Sequence, residues 1–171
     1  MKKRNKKGFT LIELLIVVAI IGIIVAIAIP NLLNAIQRAK QKRTMGDMRT
    51  AGTAAEAYAV DFNHYPAAAG YTPPSGLSVP PAATFGDPGA AYPALNGQVT
   101  PTYVRILPLT DGWSSWFRYG SGANHQNYVI YSNGKDGASD GSLPYAETTN
   151  FNNDIIFIDG QFVQYPAGAQ N

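Results

Sequence analysis

KKGFTLIELLIVVAIIGIIVAIAIP, residues 6–30, is a run that no water-soluble surface helix would carry. Beyond Gly8 the side chains are apolar except for Thr10 and Glu13, and residues 14–29 are sixteen positions without a polar side chain. Residues 9–29 span about 31 Å as an α-helix, enough to cross the hydrocarbon core of a bilayer. A cleaved secretory signal has a shorter apolar region and a small-residue cleavage site. This run is too long and ends in Ile29-Pro30-Asn31. A plain anchor accounts for the length, and for Lys2, Lys3, Arg4, Lys6 and Lys7 as cytoplasmic positives. It leaves Glu13 unexplained, because a carboxylate in a span costs a few kcal/mol unless it reaches the interface or finds a partner.

Charge is distributed unevenly along the 171 residues. The totals are 13 Lys+Arg and 11 Asp+Glu, yet five of the positives precede residue 8. From residue 50 onward three basic side chains (Arg105, Arg118, Lys135) face nine acidic ones, a net of −6. That balance speaks against nucleic-acid binding by the folded part. Charged residues are only 14% of the chain, against roughly 25% in a typical soluble domain. With no cysteine, a disulfide framework, a thiolate metal site and a thiol nucleophile are excluded.

Gly8-Phe9-Thr10-Leu11-Ile12-Glu13 and the apolar run after it resemble the prepilin signature of type IV pilins and type II secretion pseudopilins. The resemblance implies that a prepilin peptidase cuts between Gly8 and Phe9 and N-methylates the new amine of Phe9. It implies that Glu13 neutralises the Phe9 amine of a neighbouring subunit during filament assembly. Pro30 falls where the family's long helix is kinked or locally melted in the filament. Elementary chemistry agrees: a glycine before the cut presents no side chain to the protease. A carboxylate buried among apolar stems is tolerable only when paired. Removal of residues 1–8 leaves eight basic and eleven acidic side chains, a net of −3.

Helical signals continue through residues 30–63, since Pro30 can sit in a membrane helix whose neighbours satisfy the freed carbonyl. Met48, Ala51, Ala55, Tyr58 and Phe62 recur at spacings of three and four, the stripe of an amphipathic helix, with Tyr58 and Phe62 expected in the core. Arg38, Lys40, Lys42 and Arg43 form a basic cluster suited to a solvated face, to anionic headgroups or to acidic residues of the next subunit. Asn63-His64-Tyr65-Pro66 ends the helix. A helix whose second half alone packs on a globular part predicts a lollipop shape.

Residues 64–102 read as a Pro/Ala-rich variable loop, with a short helical turn near Pro93-Ala94-Leu95. From residue 103 the pattern becomes one of short strands: Trp116-Phe117-Arg118-Tyr119, Tyr128-Val129-Ile130-Tyr131, Ile155-Ile156-Phe157-Ile158 and Gln161-Phe162-Val163-Gln164-Tyr165. Asp159-Gly160 is a two-residue hairpin signal. The expected fold is α+β, a long N-terminal α-helix, membrane-spanning in its first half, packed on a small antiparallel β-sheet.

Asp111-Gly112-Trp113 with Phe117-Arg118-Tyr119, and YVIYSNGKDG at residues 128–137, resemble segments of the major pseudopilins of type II secretion (G-type). Type IV pilins usually carry a C-terminal disulfide, which this chain cannot form. The pseudopilin resemblance implies one structural Ca²⁺, held by the carbonyls of Asn133 and Ala138, the Asp136 carboxylate and the side chains of Asn153 and Asp154, with Asp140 as a substitute. Oxygen donors on a glycine-rich loop suit Ca²⁺, which takes 6–8 ligands.

Nothing points to an enzyme. His64 and His125 are the only histidines, each expected as a solvated loop residue, and no P-loop, G-x-S-x-G or paired metal-ligand motif occurs. Trp113 and Trp116 are expected in core packing and strand-edge cover.

The function implied by the resemblance is a subunit that polymerises with itself into a periplasmic pseudopilus. Its expected partners are minor pseudopilins, the prepilin peptidase, and an inner-membrane assembly platform with its ATPase. The expected topology is a single pass through the bacterial inner membrane, N-terminus cytoplasmic and C-terminal domain periplasmic. The alternatives are a type IV pilin that builds a surface fibre for adhesion or motility, and a membrane-anchored binding module.

Overall fold

Thr10 and Glu13 begin the long helix by capping it. The Thr10 N–H and Oγ1–H both donate to Glu13 Oε2, at 2.9 and 2.7 Å, and the Glu13 N–H donates to Thr10 Oγ1 at 3.3 Å. This reciprocal T-x-x-E arrangement satisfies N–H groups that a helix start leaves without partners. The helix, α1 (Leu11–Phe62), runs through Pro30. The computed structural model describes residues 8–68, 95–122, 125–140 and 146–168.

The chain divides into two units, residues 1–37 and 38–171. In the first, every described side chain up to Ile36 is exposed, isoleucines, leucines and valines included. Its helix is long and apolar enough to cross a membrane.

In the second unit, α1 buries Gln41, Thr44, Met45, Met48, Ala51, Gly52, Ala54 and Ala55. These positions fall three and four apart and form one face of the helix. The sheet comprises β1 (Arg118–Ser121), β2 (Tyr128–Ser132), β3 (Glu147–Thr148), β4 (Ile155–Ile158) and β5 (Gln161–Pro166), in spatial order β1-β2-β4-β5-β3. The first three pairings in that order are antiparallel, with Tyr119 opposite Ile130 and Ile130 opposite Phe157. β2 is buried along its whole length, in keeping with its central place and its aromatic and β-branched residues. Tyr119, Tyr128, Tyr131, Phe117, Ile130 and Ile155 dominate the core. An aliphatic side chain so buried contributes about 1.5–3 kcal/mol.

Gly52 lets the helix approach the sheet. A Cβ there would overlap the Phe157 ring and lie 3.0 Å from Tyr128 Oη. Asp159-Gly160 makes the β4–β5 turn with φ of 45° and 86°, the pair of positive values that a type I′ hairpin requires.

Several expectations need adjustment. Phe62 is 53% exposed; it stacks on Tyr58 at 4.4 Å instead of entering the core, because the helix ends there and its buried face stops at Ala55. Strand β1 starts at Arg118, two residues late, and Trp116 makes only an isolated bridge to Thr110. The two-residue β3 pairs parallel with β5 at the sheet's edge, and neither length nor composition announced it. The short helix near residue 95 extends over residues 95–99; Pro93 and Ala94 lie outside the described residues.

Candidate functional sites

At the N-terminal site, Gly8 and Phe9 are exposed, and a Cβ on Gly8 would meet nothing within 4 Å. Glu13 lies on the first turn of α1 with its carboxylate turned back to Thr10. Within one chain it is therefore a capping residue, a role open to inspection in the Thr10-Leu11-Ile12-Glu13 spacing and missed there.

The Asp-Gly-Trp segment is a structural hub. Asp111 is buried, and its Oδ1 accepts the N–H groups of Trp113 and Ser115, both at 2.9 Å. Its Oδ2 accepts the Ser132 hydroxyl at 2.6 Å. Ser132 Oγ in turn accepts the Gly134 N–H at 3.2 Å. Gly112 donates its N–H to Thr44 Oγ1 at 2.9 Å, and a Cβ at Gly112 would overlap the backbone of Lys40. The two motifs thus lock to one another and to α1, the Gly112–Thr44 bond joining residues 68 apart in sequence.

Residues 133–140 lie against residues 150–154. Lys135 donates its N–H to the Phe151 carbonyl at 2.9 Å. Gly134 has φ of 67°, and a Cβ there would press on the carbonyls of Asn152 and Asn153. Of the expected ligands, the structure brings together Asp140 and Asp154, while the Asn133 side chain donates to the Gly137 carbonyl at 2.9 Å. Asp154 is 1% exposed, and Asp154 Oδ1 and Asn133 Oδ1 are buried without a hydrogen bond. Burial, then the neighbouring charges of Asp140 and Asp136, push the Asp154 carboxyl up to about 7, against the pull of the Asp140 N–H and Arg118. Asp136 is exposed, its Oδ1 accepting the Ala138 N–H at 3.0 Å, and Asn153 Nδ2 donates to Thr148 Oγ1 at 2.8 Å. Among the described residues no three His, Cys, Asp or Glu side chains cluster as a metal group. Buried oxygens without a donor do fit a hard cation, which also needs carbonyl ligands.

The histidines are half-buried and face each other, ring centroids 5.9 Å apart, instead of standing in solvent. Their Nδ1 atoms meet the Tyr65 carbonyl at 2.9 Å and Ser121 Oγ at 3.0 Å. The pairing arises because Tyr65 donates its N–H to the His125 carbonyl, drawing the helix end to the β1–β2 loop. Trp113 packs against the core, while Trp116 is 46% exposed.

The prokaryotic N-terminal methylation motif matches residues 3–29. The family of type II secretion system (T2SS) protein G matches residues 31–151. The chain belongs to the T2SS protein G family. Among relatives, the type II secretion system core protein G of Klebsiella michiganensis is 31% identical over 144 residues, covering 80% of this chain and 89% of that protein. Core protein G of Pseudomonas aeruginosa is 29% identical over 153 residues, 90% of this chain and all of that protein. The type IV wide pilus major component PilA4 of Thermus thermophilus is 52% identical over 62 residues, 36% of this chain and 47% of that protein. The protein G match thus takes in the Asp111 hub and the 133–140 loop.

Proposed function

We propose that this chain is a pseudopilin: a non-enzymatic structural subunit that polymerises through its N-terminal helix into a periplasmic pseudopilus serving type II secretion. The observation that carries this reading is the protein G match over residues 31–151, directly after the methylation motif. A prepilin peptidase cuts after Gly8 and methylates Phe9, and the chain waits in the inner membrane with its leader in the cytoplasm. Glu13 then exchanges its partner Thr10 for the Phe9 amine of a neighbouring copy as stems pack together. A platform protein and its ATPase drive extraction, and minor pseudopilins complete the filament.

The loop of residues 133–140 holds Ca²⁺ in this reading, with Asp140 and Asp154 nearest and Asn133, Asp136, Ala138 and Asn153 as further oxygen donors. The ion supplies no chemistry; it neutralises buried carboxylate charge and ties the loop to residues 150–154.

The test is deletion of the gene in its own host. Loss of exported hydrolases with surface fibres intact supports the pseudopilin. Loss of fibres, twitching or attachment with normal secretion overturns it in favour of a type IV pilin, the reading that the 52% identity to a pilus component over 62 residues supports.

A further inference from the structure

Where α1 passes the β3–β5 edge, the second unit carries a polar groove. Arg38, Gln41, Thr148, Thr149 and Gly168 line a cavity of about 320 Å³. A contiguous one of about 180 Å³ adds Lys42. Among the described residues, no acidic side chain lines either cavity, and Arg38 and Lys42 make no ion pair. Glu147, next along β3, has its Oε1 engaged by the Gly168 N–H at 2.8 Å. Gln41, on the same face of α1, lines both cavities. Two cations, an amide and threonine hydroxyls form a donor-rich set around an uncompensated positive charge, which suits an anion with several oxygens.

We infer that this groove binds the phosphate of an anionic phospholipid headgroup. The inference rests on the reading of residues 9–29 as a membrane span. Arg38 comes only nine residues after Ile29 in sequence, with Leu32, Leu33 and Ile36 apolar in between. The anionic surface that such a chain meets at this point is the headgroup layer. The positive-inside rule leaves the far side of a span poor in cations, yet Arg38, Lys40, Lys42 and Arg43 crowd into six residues there. Arg43 pairs with Asp47 at 3.4 Å, and a lipid phosphate supplies the counter-charge of Arg38 and Lys42. A tetrahedral phosphate also matches a donor set of mixed type better than a neighbouring copy's carboxylate, which a single Arg fork satisfies.

The test is native mass spectrometry of the full chain in detergent, with phosphatidylglycerol or phosphatidylcholine added. The wild type retains phosphatidylglycerol about tenfold more strongly than phosphatidylcholine. Arg38→Gln/Lys42→Gln removes that preference, and so does Gln41→Glu, which keeps the side chain's shape and places a carboxylate in the groove. Gln41→Leu lowers it while leaving all charges in place. If only the cation variants act, diffuse attraction explains the binding and the site is overturned. If all variants keep the lipid but lose assembly, the groove receives a carboxylate of a neighbouring copy and the lipid assignment fails. Retention of neither lipid by the wild type sinks the membrane-span reading, whereas phosphatidylcholine retained without preference sinks only the groove.

Discussion

Asp140 and Asp154 hold each other's carboxylates. The Asp154 N–H donates to Asp140 Oδ2 at 2.8 Å, and the Asp140 N–H donates to Asp154 Oδ2 at 3.2 Å. Like charges so placed repel, and the two backbone donors offset only part of that repulsion. The arrangement is frustrated when both are ionised and relieved by a proton or a cation.

Without metal, the fold is therefore more stable in mild acid as far as Asp154 is concerned. Its folded-state pKa, about 7, exceeds the ordinary 3.8, so the stability it contributes is complete below pH 4 and lost as pH rises through 7. Asp154→Asn in chelator removes this dependence and raises stability at pH 8 by about 2–4 kcal/mol. Thermal melts at pH 5 and pH 8 decide it: an unchanged gap between them in the variant sinks the assignment.

On the proposed reading, Ca²⁺ would substitute for the proton at neutral pH. EDTA lowers the melting temperature by several degrees at pH 8 and by less at pH 5, where Asp154 is largely protonated. A melt indifferent to EDTA at both pH values removes calcium from this protein.

Two helix glycines should respond oppositely to a side chain. Gly52→Val drives methyl groups into Phe157 and Tyr128 and costs about 1–3 kcal/mol. Gly46→Ala meets nothing within 4 Å on an exposed helix position and stabilises by about 0.5–1 kcal/mol. Denaturant unfolding of both variants tests the packing; equal effects would contradict it.

Glu13→Gln separates capping from charge. Glutamine still closes the box with Thr10 but cannot neutralise an amine. Cleavage after Gly8 persists and filament assembly fails, scored by peptidase processing and by filament recovery from cells. Normal assembly in this variant would discard the amine-pairing role.

Much of this was legible in the residues. The helix end at Phe62, three of the strands and the Asp159-Gly160 turn follow from periodicity and turn chemistry, which act locally. The Asp111 hub was visible only as a motif, since its partners Ser132 and the Thr44–Gly112 contact are assembled by the tertiary fold. Strand β3 escaped because two residues carry no pattern, and its parallel partner lies at the other end of a hairpin. For the residues expected to hold calcium, position along the chain did not tell which oxygens lie buried: Asp140, held in reserve as a substitute, stands beside Asp154, while Asp136 is exposed.

The relay from Thr44 through Gly112 and Asp111 to Ser132 and Gly134 has a mechanical meaning. A subunit that is drawn out of a bilayer by its stem must transmit axial force to its globular part. Apolar faces slide past one another under shear, whereas directional bonds between helix and sheet resist it until several break together. The relay therefore sets a yield point for the joint, and its last member, Gly134, opens the loop of residues 133–140. In the proposed pseudopilus, an ion bound there would stiffen the anchorage at its far end, so that cation concentration would set how hard the filament could push.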